Sequence, residues 1–326
     1  MTDQWNHKVF GTDHDHFDNV ALELFYFQAE HNPVYREFIR AIGINPSRVQ
    51  KPEQVPFLPI RFFKSHAIKT TDFEPELVFE SSGTTGSVNS RHLVKDSAIY
   101  ETSFLNGFRA SYGPADEWCI IGLLPSYLER NNSSLVYMVD RLVRESNHPQ
   151  SGFYLHEFNE LAAVLKSLEA RGQKTLLIGV SFALLDFAEQ FPQPLEHTVI
   201  METGGMKGRR EEMIRPALHA VLQSAFRLPV IHSEYGMTEL LSQAYSPGNG
   251  LFSCPPWMKI LLRDEEDPFL VKTHGSGTIN VIDLANIYSC AFIATDDIGK
   301  LQTNGQFEVQ GRVDGSDLRG CSLMVV

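Results

Sequence analysis

The hexad Ser81-Ser82-Gly83-Thr84-Thr85-Gly86 follows the apolar run Leu77-Val78-Phe79 and precedes a second extended stretch, Arg91–Lys95. Its two glycines allow the backbone to bend into a nest of inward-pointing N–H groups, and its hydroxyls line the same loop, so it can cradle phosphate oxygens. No Gly-Lys-Ser/Thr follows it, which excludes a Walker A loop. The pattern predicts strand, phosphate loop and strand, with a plain surface loop as the alternative. The candidate phosphate-binding residues are Ser82, Gly83, Thr84, Thr85 and Gly86.

The composition limits the classes of function open to the chain. Its 326 residues, of which 43% are hydrophobic, suffice for one large or two modest domains. The 40 acidic and 28 basic side chains give a formal net charge of −12. We therefore expect no nucleic-acid partner, because binding a phosphate backbone requires a basic surface. A nucleotide pocket stays possible, since it needs only a few local donors.

We predict a cytoplasmic protein without a membrane span. The first residues, Met1-Thr2-Asp3-Gln4, are polar and do not resemble a secretory signal. The most apolar segment, Thr175–Phe187, is interrupted by Asp186 and is too short to cross a bilayer. The cysteines show no paired spacing, which is typical of a reducing compartment. They are Cys119, Cys254, Cys290 and Cys321.

The chain changes its pattern near residue 76. Residues 1–75 are rich in aromatic side chains at helical spacing, whereas apolar strands alternate with amphipathic helices beyond them. Repeated strand–loop–helix units predict an α/β fold in which helices flank a mostly parallel sheet, and short strands near the C-terminus predict a small β subdomain. We expect an N-terminal helical layer at 1–75, a core at 76–314 and a C-terminal tail at 315–326.

The polar loops of the core follow predicted strands. In a parallel sheet the ligand lies outside the carboxyl ends of the strands, so these loops are expected at one edge. We also predict a helix capped by Ser133 or Ser134 and another that begins at Glu239. The predicted strands include Trp118–Leu124, Lys174–Val180 and His197–Met201.

Four further segments offer groups that suit a nucleotide. Ser233-Glu234-Tyr235-Gly236-Met237-Thr238-Glu239 combines an aromatic ring for a base, a hydroxyl for phosphate and a carboxylate for Mg²⁺. Thr295-Asp296-Asp297-Ile298-Gly299 offers a carboxylate at a strand end, suited to ribose hydroxyls, and Gly311-Arg312-Val313-Asp314 supplies a guanidinium. Gly204-Gly205 permits close approach to a planar ring. Taken singly, each is equally compatible with ordinary packing, capping or a surface ion pair.

In this order and spacing, the segments resemble the core motifs of the adenylate-forming superfamily. The resemblance implies that ATP and Mg²⁺ are the cofactors and that a carboxylic acid is activated as an acyl-adenylate. It implies that Tyr235 and Gly236 contact adenine, that Thr238 contacts the α-phosphate, and that Glu239 is catalytic and binds Mg²⁺.

The same resemblance assigns the ribose and the remaining nucleotide contacts. Asp297, rather than Asp296, matches the ribose-binding aspartate of the superfamily, and Arg312 matches the arginine that reaches the ribose or the adenylate. Gly204 and Gly205 are nucleotide-binding candidates because they permit close backbone approach to a planar ring.

The end of the chain resembles the acyl-protein synthetase (LuxE) family of bacterial fatty-acid reductase systems. Arg319-Gly320-Cys321 lies close to the C-terminus, where this family carries an acyl-accepting cysteine. Leu124-Pro125-Ser126-Tyr127-Leu128-Glu129-Arg130, Ser133-Ser134-Leu135 and Thr203-Gly204-Gly205-Met206-Lys207-Gly208 are similar to that family as well. The resemblance implies a fatty acid as substrate, Cys321 as acyl acceptor and an acyl-reductase partner.

Two superfamily lysines are missing. Twelve residues follow Asp314, so we expect the C-terminal lid domain with its catalytic lysine to be absent, and Val88-Asn89-Ser90-Arg91 lacks the lysine common after the phosphate loop. Two alternative functions stay open, a coenzyme A ligase of the phenylacetate type and a non-catalytic nucleotide- or acyl-binding partner of a reductase. For Cys321 the alternative is a packed residue of a terminal strand, beside Leu323-Met324-Val325-Val326.

Overall fold

The computed structural model describes residues 2–81, 88–125, 132–155, 157–204, 213–264 and 266–313. The helices are α1 (Thr2–Phe10), α2 (Phe17–His31), α3 (Pro33–Ala41), α4 (Phe62–Ser65), α5 (Ser97–Tyr112), α6 (Ser134–Ser146), α7 (Phe158–Glu169), α8 (Ser181–Gln190) and α9 (Arg215–Phe226). The strands are β1 (Leu58–Pro59), β2 (Leu77–Glu80), β3 (Arg91–Val94), β4 (Cys119–Leu123), β5 (Gly152–Phe153), β6 (Thr175–Gly179), β7 (Thr198–Glu202), β8 (His232–Tyr235), β9 (Ala244–Ser246), β10 (Leu251–Phe252), β11 (Met258–Arg263), β12 (Val271–Lys272), β13 (Gly275–Asp283), β14 (Phe292–Leu301) and β15 (Phe307–Arg312). Within these ranges, no helix combines the length and apolarity that a membrane span requires.

The chain forms two compact units. Described residues of the first unit lie within 1–104, 237–243 and 253–317, and those of the second lie within 105–236 and 244–252. Helix α5 is divided between them. The predicted boundaries after residues 75 and 314 stay predictions.

The first unit contains a largely antiparallel sheet built from the C-terminal strands, which confirms that the chain turns to β structure there. Strands β15, β14, β13, β11 and β12 follow one another in that order, and β1 pairs in parallel with β14. Asp297 on β14 lies opposite Arg312 on β15. A separate hairpin pairs β2 with β3 in antiparallel register.

The N-terminal helices of the first unit pack on this sheet. Phe25 on α2 meets the ring of Phe292 on β14 edge to face, with centroids 6.0 Å apart. The buried Gln28 donates to the carbonyls of Asn286 and Ile287 and accepts from the amide of Ala291, at 2.8, 3.0 and 2.9 Å. The side chain of Gln28 therefore supplies hydrogen-bond partners for the buried backbone groups of this loop, which would otherwise be unpaired.

The second unit confirms the predicted parallel sheet with helices. Strands β5, β4, β6, β7 and β8 run parallel in that order, and β9 closes the edge in antiparallel pairing with β8. Every residue of β4 and β6 is buried, which explains why both segments are continuous apolar runs rather than alternating ones. Ser133 caps α6 by accepting a hydrogen bond from the amide of Val136, as predicted.

Candidate nucleotide and acyl-activation site

The β2–β3 hairpin frames the predicted phosphate loop. Below the loop, the amide of Ser81 donates to the carbonyl of Ser90 at 3.0 Å, and the amide of Ser90 donates to the Ser81 hydroxyl at 2.9 Å. The two predicted strands are therefore confirmed, and their ends are joined by paired hydrogen bonds. The phosphate-loop residues themselves (Ser82, Gly83, Thr84, Thr85, Gly86) lie outside the described residues.

The prediction of a helix that begins at Glu239 is wrong. Residues 237–243 form a turn and an irregular stretch, and the chain then enters strand β9. The carboxylate of Asp283 accepts hydrogen bonds from the amides of Leu241 at 2.7 Å and Ser242 at 3.1 Å. A side chain from a distant part of the sequence therefore holds these two amides within an irregular stretch rather than a helix.

The candidate residues Thr238 and Glu239 lie on this turn. The Nδ1 of His92, on β3, donates to the carbonyl of Thr238 at 2.8 Å, and the Nδ2 of Asn286 donates to the carbonyl of Glu239 at 2.9 Å. Thr238 is half-buried and Glu239 is fully buried. The backbone of both candidate residues is therefore held by side chains of the same unit.

Asp283 is the centre of the buried polar network around this turn. Besides the two amides, it accepts from the Ser242 hydroxyl at 2.5 Å and from the amide of Ala285 at 3.2 Å. Burial raises the pKa of Asp283 to about 6, although these hydrogen bonds oppose the shift. The Ser242 hydroxyl also meets that of Ser103 at 3.0 Å, which extends the network into α5.

Asp297 and Arg312 form the ion pair that their strand register dictates. The Nε of Arg312 donates to Asp297 Oδ1 at 2.8 Å, and both side chains are largely buried. The amide of Asp297 donates to the Thr295 hydroxyl, which in turn donates to the carbonyl of Ile279. Arg263, on β11, donates to the carbonyl of Thr295 on β14. The Thr-x-Asp segment is thus anchored from both sides.

The two adjacent aspartates allow a test of the ribose assignment. Asp297 is 6% exposed and paired with Arg312, whereas Asp296 is half-buried. We predict that Asp297→Asn weakens ATP binding about 10-fold, because the amide loses the charge that strengthens hydrogen bonds to hydroxyls, and that Asp296→Asn changes it less than about 2-fold. Calorimetric titration with ATP measures both. A larger effect at Asp296 would mean that the motif is assigned one residue out of register.

In the second unit, Gly204 follows β7 in a conformation that requires glycine. Its φ is 75°, its amide donates to Glu202 Oε2 at 2.7 Å, and its carbonyl accepts from the amide of Ser181 at 3.1 Å. Gly205 lies outside the described residues. Burial opposes ionisation of Glu202, but hydrogen bonding from His219 and the charge of Arg215 outweigh it and hold the pKa of Glu202 at about 2. An ionised carboxylate therefore fixes the turn at Gly204.

Tyr235 ends strand β8 rather than standing in a loop. Its side chain is 7% exposed, and its ring meets that of Phe252 at 6.0 Å and 61°. Gly236 follows it and is half-buried. The predicted motif therefore begins within a strand, with its aromatic residue packed.

Glu234, just before Tyr235, is a carboxylic acid held largely neutral. Burial, together with repulsion from Glu202, raises the pKa of Glu234 to about 8 from an ordinary value of 4.5. Because the folded state binds this proton more tightly than the unfolded state, the group destabilises the fold increasingly as pH rises from about 4.5 to about 8.

We therefore predict that Glu234→Gln stabilises the protein at high pH. The gain should be near zero below pH 4.5 and reach at least about 1 kcal/mol at pH 8, because glutamine carries no charge to bury. Denaturant unfolding of the variant and the parent protein at pH 5 and pH 8 measures it. An equal gain at both values would assign the effect to packing instead.

The described cysteines are poor nucleophiles. Cys119 and Cys290 are fully buried, and Cys254 is partly exposed. Burial raises the pKa of Cys119 and Cys254, and it raises the pKa of Cys290 to about 12. Since the thiolate is the nucleophile, none of the three is activated. Cys321 lies outside the described residues.

Several residues of this site were missed by the sequence interpretation. His92, Asn286 and Asp283 anchor the Thr238–Glu239 turn, and Glu202 anchors Gly204. Only His92 had a local signal, because alternation along β3 places it on the buried face with Val94. The others act through contacts that sequence spacing does not reveal.

The described residues contain no cluster of three or more acidic, histidine or cysteine side chains that could hold a metal. Mg²⁺ keeps water ligands and usually takes one or two protein carboxylates together with substrate phosphates. The donor chemistry of Glu239, with the Thr238 hydroxyl beside it in sequence, fits that mode of binding.

Comparison with known proteins finds two similar curated proteins that carry the same name. No protein-family profile matches the chain. It is 23% identical over 328 residues to the long-chain-fatty-acid–luciferin-component ligase of Vibrio harveyi, covering 92% of this chain and 84% of that protein. It is 22% identical to the protein of the same name from Aliivibrio fischeri, and the alignment covers 94% of this chain and 86% of that protein. These matches confirm the resemblance to the acyl-protein synthetase family.

A solved structure supports the fold independently. The chain superposes on an open conformation of 2-hydroxyisobutyryl-CoA ligase with a TM-score of 0.63 at 13% identity, covering 91% of this chain and 69% of that one. The expected fold, that of the large N-terminal domain of adenylate-forming ligases, is confirmed.

Proposed function

We propose that this chain, a relative of the long-chain-fatty-acid–luciferin-component ligases, activates a fatty acid with ATP and transfers the acyl group to a thiol of its own tail. The observation that carries the proposal is the anchoring of the Thr238–Glu239 turn by His92, on the strand that leaves the predicted phosphate loop. The similarity to named fatty-acid ligases along nearly the whole chain supports it.

In the first step, a carboxylate oxygen attacks the α-phosphorus of ATP, and the bond to the β-phosphate breaks to release pyrophosphate. We assign the phosphate oxygens to the hydroxyls and backbone amides of residues 82–86 and to Thr238. Asp297 accepts from the ribose hydroxyls, Arg312 orients Asp297, and Gly204, Gly205, Tyr235 and Gly236 bind adenine. Bound at Glu239, Mg²⁺ would neutralise charge on the triphosphate.

In the second step, the Cys321 thiolate attacks the carbonyl carbon of the acyl-adenylate. A carbon–sulfur bond forms, the carbon–oxygen bond to phosphate breaks, and AMP leaves with the electron pair. The described thiols support this choice by elimination, because each is kept protonated by burial. Arg319, two residues away, would favour the thiolate. The thioester then suits delivery to an acyl reductase, which we propose as the partner.

Pyrophosphate exchange into ATP tests the first step. We expect Mg²⁺-dependent exchange with long-chain acids and little with short or aryl acids. Absence of exchange with every acid would contradict the proposal, and ATP binding without turnover would favour a non-catalytic role. AMP release that requires coenzyme A, in a Cys321→Ala variant, would favour a coenzyme A ligase.

A further inference from the structure

His92 connects two segments that the proposed reaction uses. It lies on β3, six residues after Gly86, the last residue of the predicted phosphate loop, and it donates to the backbone carbonyl of Thr238 at 2.8 Å. Because a carbonyl oxygen only accepts, the proton of the neutral ring must sit on Nδ1. Burial lowers the pKa of His92, which is consistent with a neutral ring.

The surroundings of His92 fix its ring. The side chain is 1% exposed, and its ring meets Phe63 edge to face with centroids 5.9 Å apart. On β2, Phe79 lies directly opposite in the strand register. A ring locked in this way cannot follow the turn if the turn moves, so its hydrogen bond defines where Thr238 lies relative to the hairpin.

The Thr238–Glu239 turn lies in a segment without regular secondary structure. Residues 236–243 belong to no helix or strand, and the side chains of His92, Asn286 and Asp283 hydrogen-bond to their backbone. Asp283 ends β13 and Asn286 lies in the loop that follows it, whereas His92 alone among these three comes from the β2–β3 hairpin. Removing its donor therefore loosens the turn on the hairpin side.

We propose that His92 is a positioning residue that sets the Thr238–Glu239 turn in its place relative to the β2–β3 hairpin. The inference rests on the proposed function, since it names a further residue of that reaction. In this role His92 acts through the backbone of the turn. Misplacement of a reacting group by about 1 Å can cost on the order of 100-fold in rate, so a single anchor of this kind has a measurable effect.

The test compares two substitutions that separate ring shape from hydrogen bonding. His92→Phe keeps an aromatic ring against Phe63 and removes the donor. His92→Asn loses the ring, but its side-chain amide lies where Nδ1 was and can still donate. Tyr35→Phe is the matched control, because it also removes one buried side-chain hydrogen bond to a backbone carbonyl of the first unit, that of Pro56.

We expect His92→Phe to lower kcat for pyrophosphate exchange at least about 10-fold with little change in the KM for the acid, and His92→Asn to stay within about 3-fold of the parent. Amide hydrogen exchange in residues 237–243 should quicken about 10-fold in His92→Phe and not in Tyr35→Phe. Unaltered kcat in His92→Phe, with or without faster amide exchange, would overturn the inference.

The two hypotheses fail in different ways. If the parent protein shows no exchange of pyrophosphate, the proposed function fails. Amide exchange then still decides whether His92 holds the turn: parent-like protection of residues 237–243 in His92→Phe would refute the anchoring.

Discussion

Glu239→Gln is expected to lower the rate of ATP-dependent acid activation by at least about 100-fold and to remove most of its Mg²⁺ dependence. The carboxylate is fully buried, and its backbone is held by Asn286 at 2.9 Å, so the substitution changes charge with little change in position. Loss of one anionic metal ligand removes several kcal/mol of stabilisation of transition-state charge. Pyrophosphate exchange across a range of Mg²⁺ concentrations measures both quantities.

A half-buried, hydrogen-bonded carboxylate provides the control for this prediction. Glu169 accepts hydrogen bonds from the amides of Glu196 and His197 and from the Thr198 hydroxyl, so its role is structural. Glu169→Gln should lower the free energy of unfolding and leave the Mg²⁺ dependence unchanged. If a folded Glu239→Gln variant behaved in the same way, Glu239 would be a structural residue and the metal assignment would be wrong.

Cys321→Ser should abolish covalent acylation of the protein while pyrophosphate exchange continues. A thiolate attacks an acyl-adenylate far more readily than a neutral serine hydroxyl does. Labelled fatty acid with ATP should mark the parent protein with a thioester that neutral hydroxylamine removes. Intact-protein mass spectrometry quantifies the label.

Cys254→Ser is the control for acylation at a different thiol. Among the described cysteines Cys254 is the one with partial exposure, although burial raises the pKa of its thiol. We expect this variant to carry parent levels of label. Label that persists in Cys321→Ser and stays sensitive to hydroxylamine would move the acceptor to another thiol.

Local patterns predicted the elements of the second unit well. Strands β4 and β6 could be predicted because a strand buried on both faces of a sheet is a continuous apolar run in the sequence. The cap at Ser133 could be predicted because it depends only on residues close by in the sequence. The pairing of Asp297 with Arg312 in the first unit was not predicted, because it depends on the register of two antiparallel strands.

The prediction of a helix from Glu239 is wrong because contacts with residues distant in the sequence determine the structure of this turn. The segment after Thr238 has a local pattern that suits a helix, but Asp283, more than 40 positions away, accepts the amides of Leu241 and Ser242. Tertiary hydrogen bonding thus overrode local propensity. Glu202 was missed for a similar reason, since its partners His219 and Arg215 become neighbours only when α9 packs.

The most direct test of the account follows oxygen from the acid into AMP. A fatty acid labelled with ¹⁸O in both carboxylate oxygens is incubated with ATP, Mg²⁺ and the protein, and the AMP released is analysed by mass spectrometry. Attack of the carboxylate on the α-phosphorus, followed by thiol attack on the carbonyl carbon, leaves one labelled oxygen on the phosphate of AMP. The account predicts AMP with one ¹⁸O atom; unlabelled AMP, or ADP and phosphate as the products, would contradict it.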